Sequence, residues 1–484
     1  MLPPQLLSGT LVSTVGRVLG TLLSVLTIGI VTRGLAHEGG VGAYGTYATI
    51  FAFLAVVSII ADGGLYLVFT RRAAQEDPAD EARLLLSVLR LRAISFAGAL
   101  VLLVIVMSVL PYLPLVRMGI LLGAIGIGSQ LIVQLLLGVF QKRLRMVSPA
   151  VAEVCGRAGT LLLALLIRAS DGGILAYVGA FVVGTLITLL ITTGAVWRML
   201  PAPASKDRVP SRTLLREAWP MGALLLCWMI VFRADSVLLS LLRPPEELGW
   251  YALPYKVLES LLFFPAMIGG LLLPAFSRTA AMERERLPAS LTAATHLFFL
   301  LALPVVLILF LAAPWMITIL GGAAFAPSIG VLRILALALG ALFFGNLYGN
   351  GAIALGQHRR LLWGAATLAV LNVLVNSVII PRYSFLGAAW TTLGTEILSA
   401  GFAARIVWSR ARFSILSSTN LHIASAGGAF VLVSLLPIPL LLRIIGGSCV
   451  YLGALWMLGV LTPRRVWDLV RAQRSFDAFR VGVS

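Results

Sequence analysis

Arg233, Asp235, Lys256 and Glu259 fall within one stretch, RADSVLLSLLRPPEELGWYALPYKVLE, of a chain otherwise sparing with charge. A charged side chain at mid-bilayer costs about 2.5–3.5 kcal/mol on insertion scales, so ionisable groups in apolar spans face a cavity or a partner. The chemistry in view is therefore that of a charged cavity inside hydrocarbon, not of bond making. Arg233 and Asp235 are two positions apart and cannot share a helix face, so each must find partners on other helices. Lys256 and Glu259, three apart, can pair with each other, as can Glu153 and Arg157, four apart in the favourable order. Each of these two pairs reads equally as a structural bridge or as part of a cavity. Arg17, in the first apolar run, has no partner on its own helix and reads, with Arg233, as a cavity cation. Asp62 precedes Gly63-Gly64, and Glu396 stands among Thr391, Thr392 and Thr395.

Other polar residues have plainer readings. Asn346 with Asn350, and Asn372 with Asn376, are each spaced i,i+4 on one helix face and read as makers of interhelical hydrogen bonds. Arg333 is placed to snorkel, and His296 reads as a satisfied polar residue. Cys155, Cys227 and Cys449 lie in apolar runs without ligand spacing, and the four histidines are scattered, so no metal site or disulfide is expected. There is no P-loop, no nucleotide-binding glycine motif and no H-E-x-x-H, which points away from an enzyme and from ATP-driven transport.

The elements that hold these residues are membrane helices. The chain has 484 residues, 60% hydrophobic and 12% charged, with mean hydropathy +1.00, whereas a soluble domain carries about 25% charged residues. Apolar runs of spanning length recur throughout. Fourteen spans are expected, near 8–32, 44–69, 85–110, 115–140, 149–168, 173–197, 214–242, 249–275, 289–313, 328–355, 361–380, 386–408, 420–440 and 444–462. The N-terminus lacks a basic n-region and a small-residue cleavage site, and reads as the first span, not a signal peptide.

Net charge is +18. Most of the Lys and Arg crowd the even-numbered links and the tail, which predicts that those links, and both termini, are cytoplasmic. The charge is then topological, and nucleic acid is not expected as a partner. The tail from 463 to 484 alternates basic and aromatic residues, so it is expected to lie on anionic inner-leaflet lipid.

The two halves of the chain echo each other. Gly45-Thr46-Tyr47-Ala48, Gly63-Gly64-Leu65 and Phe69-Thr70-Arg71 recur in order as Gly249-Trp250-Tyr251-Ala252, Gly269-Gly270-Leu271 and Phe276-Ser277-Arg278. Six spans per copy give a parallel repeat about an axis along the membrane normal. The expected fold is thus an all-α polytopic membrane protein with two six-helix lobes, 1–200 and 214–410. A cytoplasmic linker at 201–213 joins them, and two extra helices at 411–462 follow.

LNVLVNSVIIPRYSFLGAAWTTLGTE from Leu371, RADSVLLSLL followed by LGWYALPYKVLE, and ADGGL from Ala61 resemble the Wzx-type polysaccharide-biosynthesis flippases of the multidrug/oligosaccharidyl-lipid/polysaccharide superfamily. The likeness runs over roughly 8–410. It implies a bacterial cytoplasmic-membrane protein that moves undecaprenyl-diphosphate-linked oligosaccharide to the outer leaflet by alternating access, alongside polysaccharide-assembly proteins. It implies that Arg17, Arg233 and Lys256 attract the diphosphate, a guanidinium in bidentate fashion and an ammonium as a point charge. It also implies that Asp62, Asp235, Glu259 or Glu396 carries a coupling H+ or Na+, with no other cofactor. The first span is less cationic than expected of a lipid II flippase of that superfamily. A cation-coupled multidrug antiporter and a membrane-embedded polysaccharide polymerase or ligase are the alternative readings.

Overall fold

The computed structural model describes the backbone of residues 4–201, 209–415 and 417–460, with side chains from residue 15. The described residues form helices and turns with no strand. In order they are α1 (Pro4–Asp62), α2 (Leu65–Ala73), α3 (Pro78–Val109), α4 (Pro114–Lys142), α5 (Val147–Ala169), α6 (Ile174–Trp197) and α7 (Ser211–Leu242). Then come α8 (Pro245–Leu261), α9 (Phe263–Met282), α10 (Leu287–Leu320), α11 (Ser328–Ala354), α12 (His358–Trp408), α13 (Ser418–Ser434) and α14 (Leu440–Met457).

Eleven stretches among the described residues are long and apolar enough to cross a membrane. Two of them are double. The 59 residues of α1 would run about 88 Å if straight, almost three times a hydrocarbon core of about 30 Å. The chain instead leaves helical geometry at Gly39 and Gly40. The first leg then packs on α5, with Gly16 against Ala150, and the second on α4, with Ile50 and Leu54 against Gly119 and Gly123. The 51 residues of α12 turn likewise at Ser384, whose φ is 52°. Counting both legs of each, and the 17-residue α13, the chain passes as the fourteen expected spans require. Exposed apolar side chains such as Val101, Leu102 and Ile105 suit acyl-chain contact.

The boundaries differ from expectation where the chain breaks within a span. The second pass halts at Gly63 and Gly64, with φ of 50° and 84°, and resumes as α2. The eighth is divided between α8 and α9 at Leu262, seven residues before the matching glycine pair. Gly269 is helical, and an added Cβ there would lie 2.0 Å from Asn346 Oδ1. Gly63 and Gly64 thus supply positive φ, while Gly269 supplies close packing without it.

The first six passes pack among themselves, and so do α7 to α12. The second pass of each set lies on the fourth: α2 on α4, and α8 and α9 on α11. The helices α13 and α14 pair and rest on α10, where Tyr451 donates to the Leu300 carbonyl at 3.0 Å. The expected tail at 463–484 lies outside the described residues.

The two sets meet chiefly along α1–α8, α1–α7 and α2–α7, and also along α1–α10 and α3–α7. At the end of the spans away from the Lys/Arg-rich links, a Cβ on Gly45 would fall 1.7 Å from the Pro245 carbonyl oxygen, so only glycine permits this approach. Arg33 donates to the Thr318 carbonyl at 2.9 Å, and Tyr112 and Ser240 hydroxyls are 2.8 Å apart. Toward the basic end, Gly64 lies on Ala218 and Gly222, where a Cβ on Gly222 would sit 2.2 Å from the Gly63 carbonyl oxygen. Arg72 of α2 pairs with Glu217 of α7 beside this contact.

Candidate functional site

The polar residues inside the spans form three groups. The first joins α7 and α8. Arg233 forms an ion pair with Glu259, and Lys256 Nζ donates to the other oxygen of that carboxylate at 2.8 Å. The three side chains are 20%, 21% and 37% exposed, so none is fully enclosed by the protein. The Arg233 guanidinium also lies over the Tyr255 ring, 5.8 Å from its centroid, a cation–π geometry. Two cations here share one carboxylate.

The second group joins α1 and α5. Arg157 pairs with Glu153 and donates through Nη1 to Ser24 Oγ at 2.8 Å. Gly20 lies against the Arg157 side chain, where a Cβ would make ordinary contact at 3.4 Å. Arg17 is exposed and lies seven residues before Ser24, two turns along the same stripe of α1. Among the described residues Arg17 has no acidic partner. The α1–α5 face thus carries Arg17 together with Arg157.

The third group is fully enclosed. Asp235 is 0% exposed and accepts from the Tyr251 hydroxyl, from Thr392 Oγ1 at 3.1 Å and from the Ser236 amide at 2.7 Å. One turn beyond Thr392, Glu396 is 3% exposed and makes no hydrogen bond or ion pair among the described residues. Beside it Thr395 accepts from Asn372 Nδ2 at 3.1 Å, and Asn376 Nδ2 donates to Asn372 Oδ1 at 3.1 Å. The Asn376 Oδ1 is buried without a partner. Two carboxylates and an unfilled acceptor in one enclosed region favour a proton or small cation.

The sequence-derived residues therefore separate. Arg233, Lys256 and Glu259 come together as one triad. Asp235 turns the other way, as its two-residue offset from Arg233 requires, and joins Glu396. Asp62 belongs to neither group: it pairs with Arg92, which is 2% exposed and donates also to the Leu131 carbonyl at 2.5 Å and Gln134 Oε1 at 2.9 Å. Arg92, not singled out from sequence, is thus a buried partner of Asp62. Nor was Glu81 singled out: it is 0% exposed and accepts from Lys142 at 2.9 Å and Arg143 at 2.7 Å. Both pairs join residues distant in sequence, and no local signal marks them.

His296 contacts Ser417 Oγ at 2.8 Å, and Arg333 lies 5.3 Å from the Phe310 ring centroid. The described residues hold no cluster of three or more potential metal ligands.

This arrangement, two helix sets with glycine-mediated contacts at both ends and charges within the spans, can be set beside known proteins. The family model described as polysaccharide biosynthesis protein matches residues 6–280. The chain belongs to the polysaccharide biosynthesis protein family. Solved structures extend the likeness over the remainder. The inward closed conformation of the lipid II flippase MurJ aligns with a TM-score of 0.74 at 14% identity, covering 93% of this chain and 98% of that one. An inward-facing multidrug resistance MATE family transporter aligns with a TM-score of 0.66 at 16% identity, covering 80% and 94%. A Vibrio cholerae MATE transporter aligns with a TM-score of 0.52 at 14% identity, covering 86% and 98%. At these identities the likeness establishes the fold. No curated protein matches the chain. This member of the family is a multi-pass membrane protein with the all-α fold shared by these transporters.

Proposed function

We propose that this protein is a flippase that carries an undecaprenyl-diphosphate-linked oligosaccharide from the inner to the outer leaflet of the bacterial cytoplasmic membrane by alternating access. Under this reading the basic links and both termini are cytoplasmic, and the product serves polysaccharide-assembly proteins on the outer side. The observation that carries it is the pair of cationic groups inside the spans, one on each helix set: Arg233 and Lys256 on α7 and α8, Arg17 and Arg157 on α1 and α5. An incoming diphosphate competes with Glu259 for Arg233 and Lys256, since charge-assisted bonds to phosphate are strong and bidentate for arginine. It thereby loosens a triad in which one carboxylate only partly neutralises two cations. Family membership supports the substrate class.

Alternating access needs contacts that close at either end in turn. The Gly45–Pro245 approach and the Gly222–Gly63 approach supply such contacts, because close-packed backbones either fit or part. For the coupling ion, the four acids expected from sequence reduce to two. Asp62 and Glu259 are held by cations, while Asp235 and Glu396 have no ion pair among the described residues. These two carry the H+ or Na+ in this account.

The test is transport of a lipid-linked oligosaccharide by the purified full chain in vesicles, read by access of an external enzyme to the sugar. Arg233→Gln and Arg17→Gln each reduce it at least tenfold; normal transport by both variants refutes the diphosphate assignment. A cation-coupled multidrug antiporter is the second reading, favoured by one observation: Tyr251, whose ring centroid lies 5.5 Å from that of Tyr255, donates to Asp235. Efflux of cationic dye by the same vesicles, without sugar-lipid movement, would establish it instead.

A further inference from the structure

A cavity of about 1030 Å³ opens at the α2–α7 contact, away from the three polar groups described above. The end of α1, the start of α2, Ser95 of α3 and the first turns of α7 line it. It therefore touches both helix sets. Its apolar wall includes Ile60, 41% exposed, and Leu215, 48% exposed, and Trp219 at its rim is 72% exposed. Such a wall suits acyl chains, and tryptophan favours the headgroup level.

Two charges in the lining stand out. Arg212 and Arg216, one turn apart on α7, have no acidic partner among the described residues, whereas neighbouring Glu217 is occupied by Arg72. Asp62, also in the lining, is neutralised by Arg92. Arg212 lies in the first turn of α7, where there is no acidic residue and no side-chain cap. The amino end of a helix carries about half a positive charge and favours anions, so an arginine there adds positive potential to positive potential. An anion in the cavity relieves it, and two guanidinium groups above an apolar wall match a phosphate ester carrying acyl chains.

We infer that this cavity is a binding site for an anionic phospholipid of the leaflet at the basic end, held through its headgroup phosphate by Arg212 and Arg216. The inference is independent of what the protein transports, since it requires only that the chain lies in a membrane.

The test uses the purified full chain in detergent, titrated with phosphatidylglycerol or with phosphatidylcholine of the same acyl composition, and reads thermal unfolding. Phosphatidylglycerol raises the Tm by several degrees more than phosphatidylcholine. Arg212→Gln with Arg216→Gln removes that difference. Arg212→Lys with Arg216→Lys, which keeps charge and length, retains at least half of it, which separates loss of binding from loss of folding. Arg198→Gln with Arg284→Gln, exposed arginines outside the cavity, leaves it unchanged. The inference is overturned if the Gln pair at 212 and 216 keeps the full difference, or if the pair at 198 and 284 removes as much. It is overturned as well if a short polyprenyl diphosphate protects through Arg212 and Arg216 while phosphatidylglycerol does not, for the cavity would then take the headgroup of a transported lipid.

Discussion

Arg233 on α7 and Glu259 on α8 form an ion pair within the spans, and Lys256 donates to the same carboxylate at 2.8 Å. One acid thus holds two cations in place and partly neutralises them. Removing Glu259 exposes the two cations to each other. Breaking a buried pair from one side costs about 3–5 kcal/mol, and the roughly one-fifth exposure of both partners here places Glu259→Gln at or below the low end of that range. Its Tm falls, yet binding of a polyprenyl diphosphate tightens because the competing carboxylate is gone. The double variant with Arg233→Gln recovers stability and loses binding. A double-mutant cycle measured by thermal unfolding and by ligand titration separates the two effects; weaker diphosphate binding in Glu259→Gln would contradict the competition.

The contact at the basic end rests on backbone approach more than on charge. Arg72 and Glu217 are 28% and 43% exposed, and exposed pairs contribute about 0.2–1 kcal/mol, so Arg72→Ala changes stability little. Gly222→Val is different, since its Cβ would sit 2.2 Å from the Gly63 carbonyl oxygen. It holds the α2–α7 contact apart. Alkylation of a cysteine introduced at Ala218, otherwise buried, becomes faster in Gly222→Val and stays slow in Arg72→Ala.

Asp235 and Glu396 respond differently to neutralisation. Asp235→Leu takes from the Tyr251 hydroxyl its carboxylate acceptor, while Thr392 keeps the Ala388 carbonyl at 3.0 Å; an unsatisfied buried group costs about 1–3 kcal/mol, and the Tm falls. Asp235→Asn keeps an acceptor and the fold. Both it and Glu396→Gln abolish the response of transport to an imposed H+ or Na+ gradient while leaving lipid binding intact. Gradient-driven transport that survives in both would move the coupling site elsewhere.

At the turn after α4, Glu81 is fully buried beneath Lys142 and Arg143. Glu81→Gln removes about 3 kcal/mol, the low end for a broken buried pair because both cations keep some exposure. Thermal unfolding of the purified variant reads this directly. The loss is one of stability, with transport per folded molecule unchanged.

Hydropathy and composition made the passes legible, because spanning length is set by the bilayer and every apolar run had to be a helix. Helical spacing also made the divergence of Arg233 and Asp235 legible, and the Lys256–Glu259 contact. What lay beyond sequence were meetings between helices. Arg92 is thirty residues from Asp62, and Glu81 some sixty from Lys142 and Arg143, so each looks like surface charge until the helices are assembled. Glycine is ambiguous for a different reason. Gly63-Gly64 and Gly269-Gly270 match as letters, but the first breaks a helix through positive φ and the second admits an asparagine side chain. Only packing distinguishes the two uses.

The most direct measurement is deletion of the gene in its host, followed by analysis of lipid-linked glycans by leaflet. Undecaprenyl-diphosphate oligosaccharide is expected to accumulate on the cytoplasmic face while the surface polymer is lost, and Arg233→Gln is expected not to restore it. Unchanged glycan flux, with raised sensitivity to cationic drugs, would contradict the flippase reading.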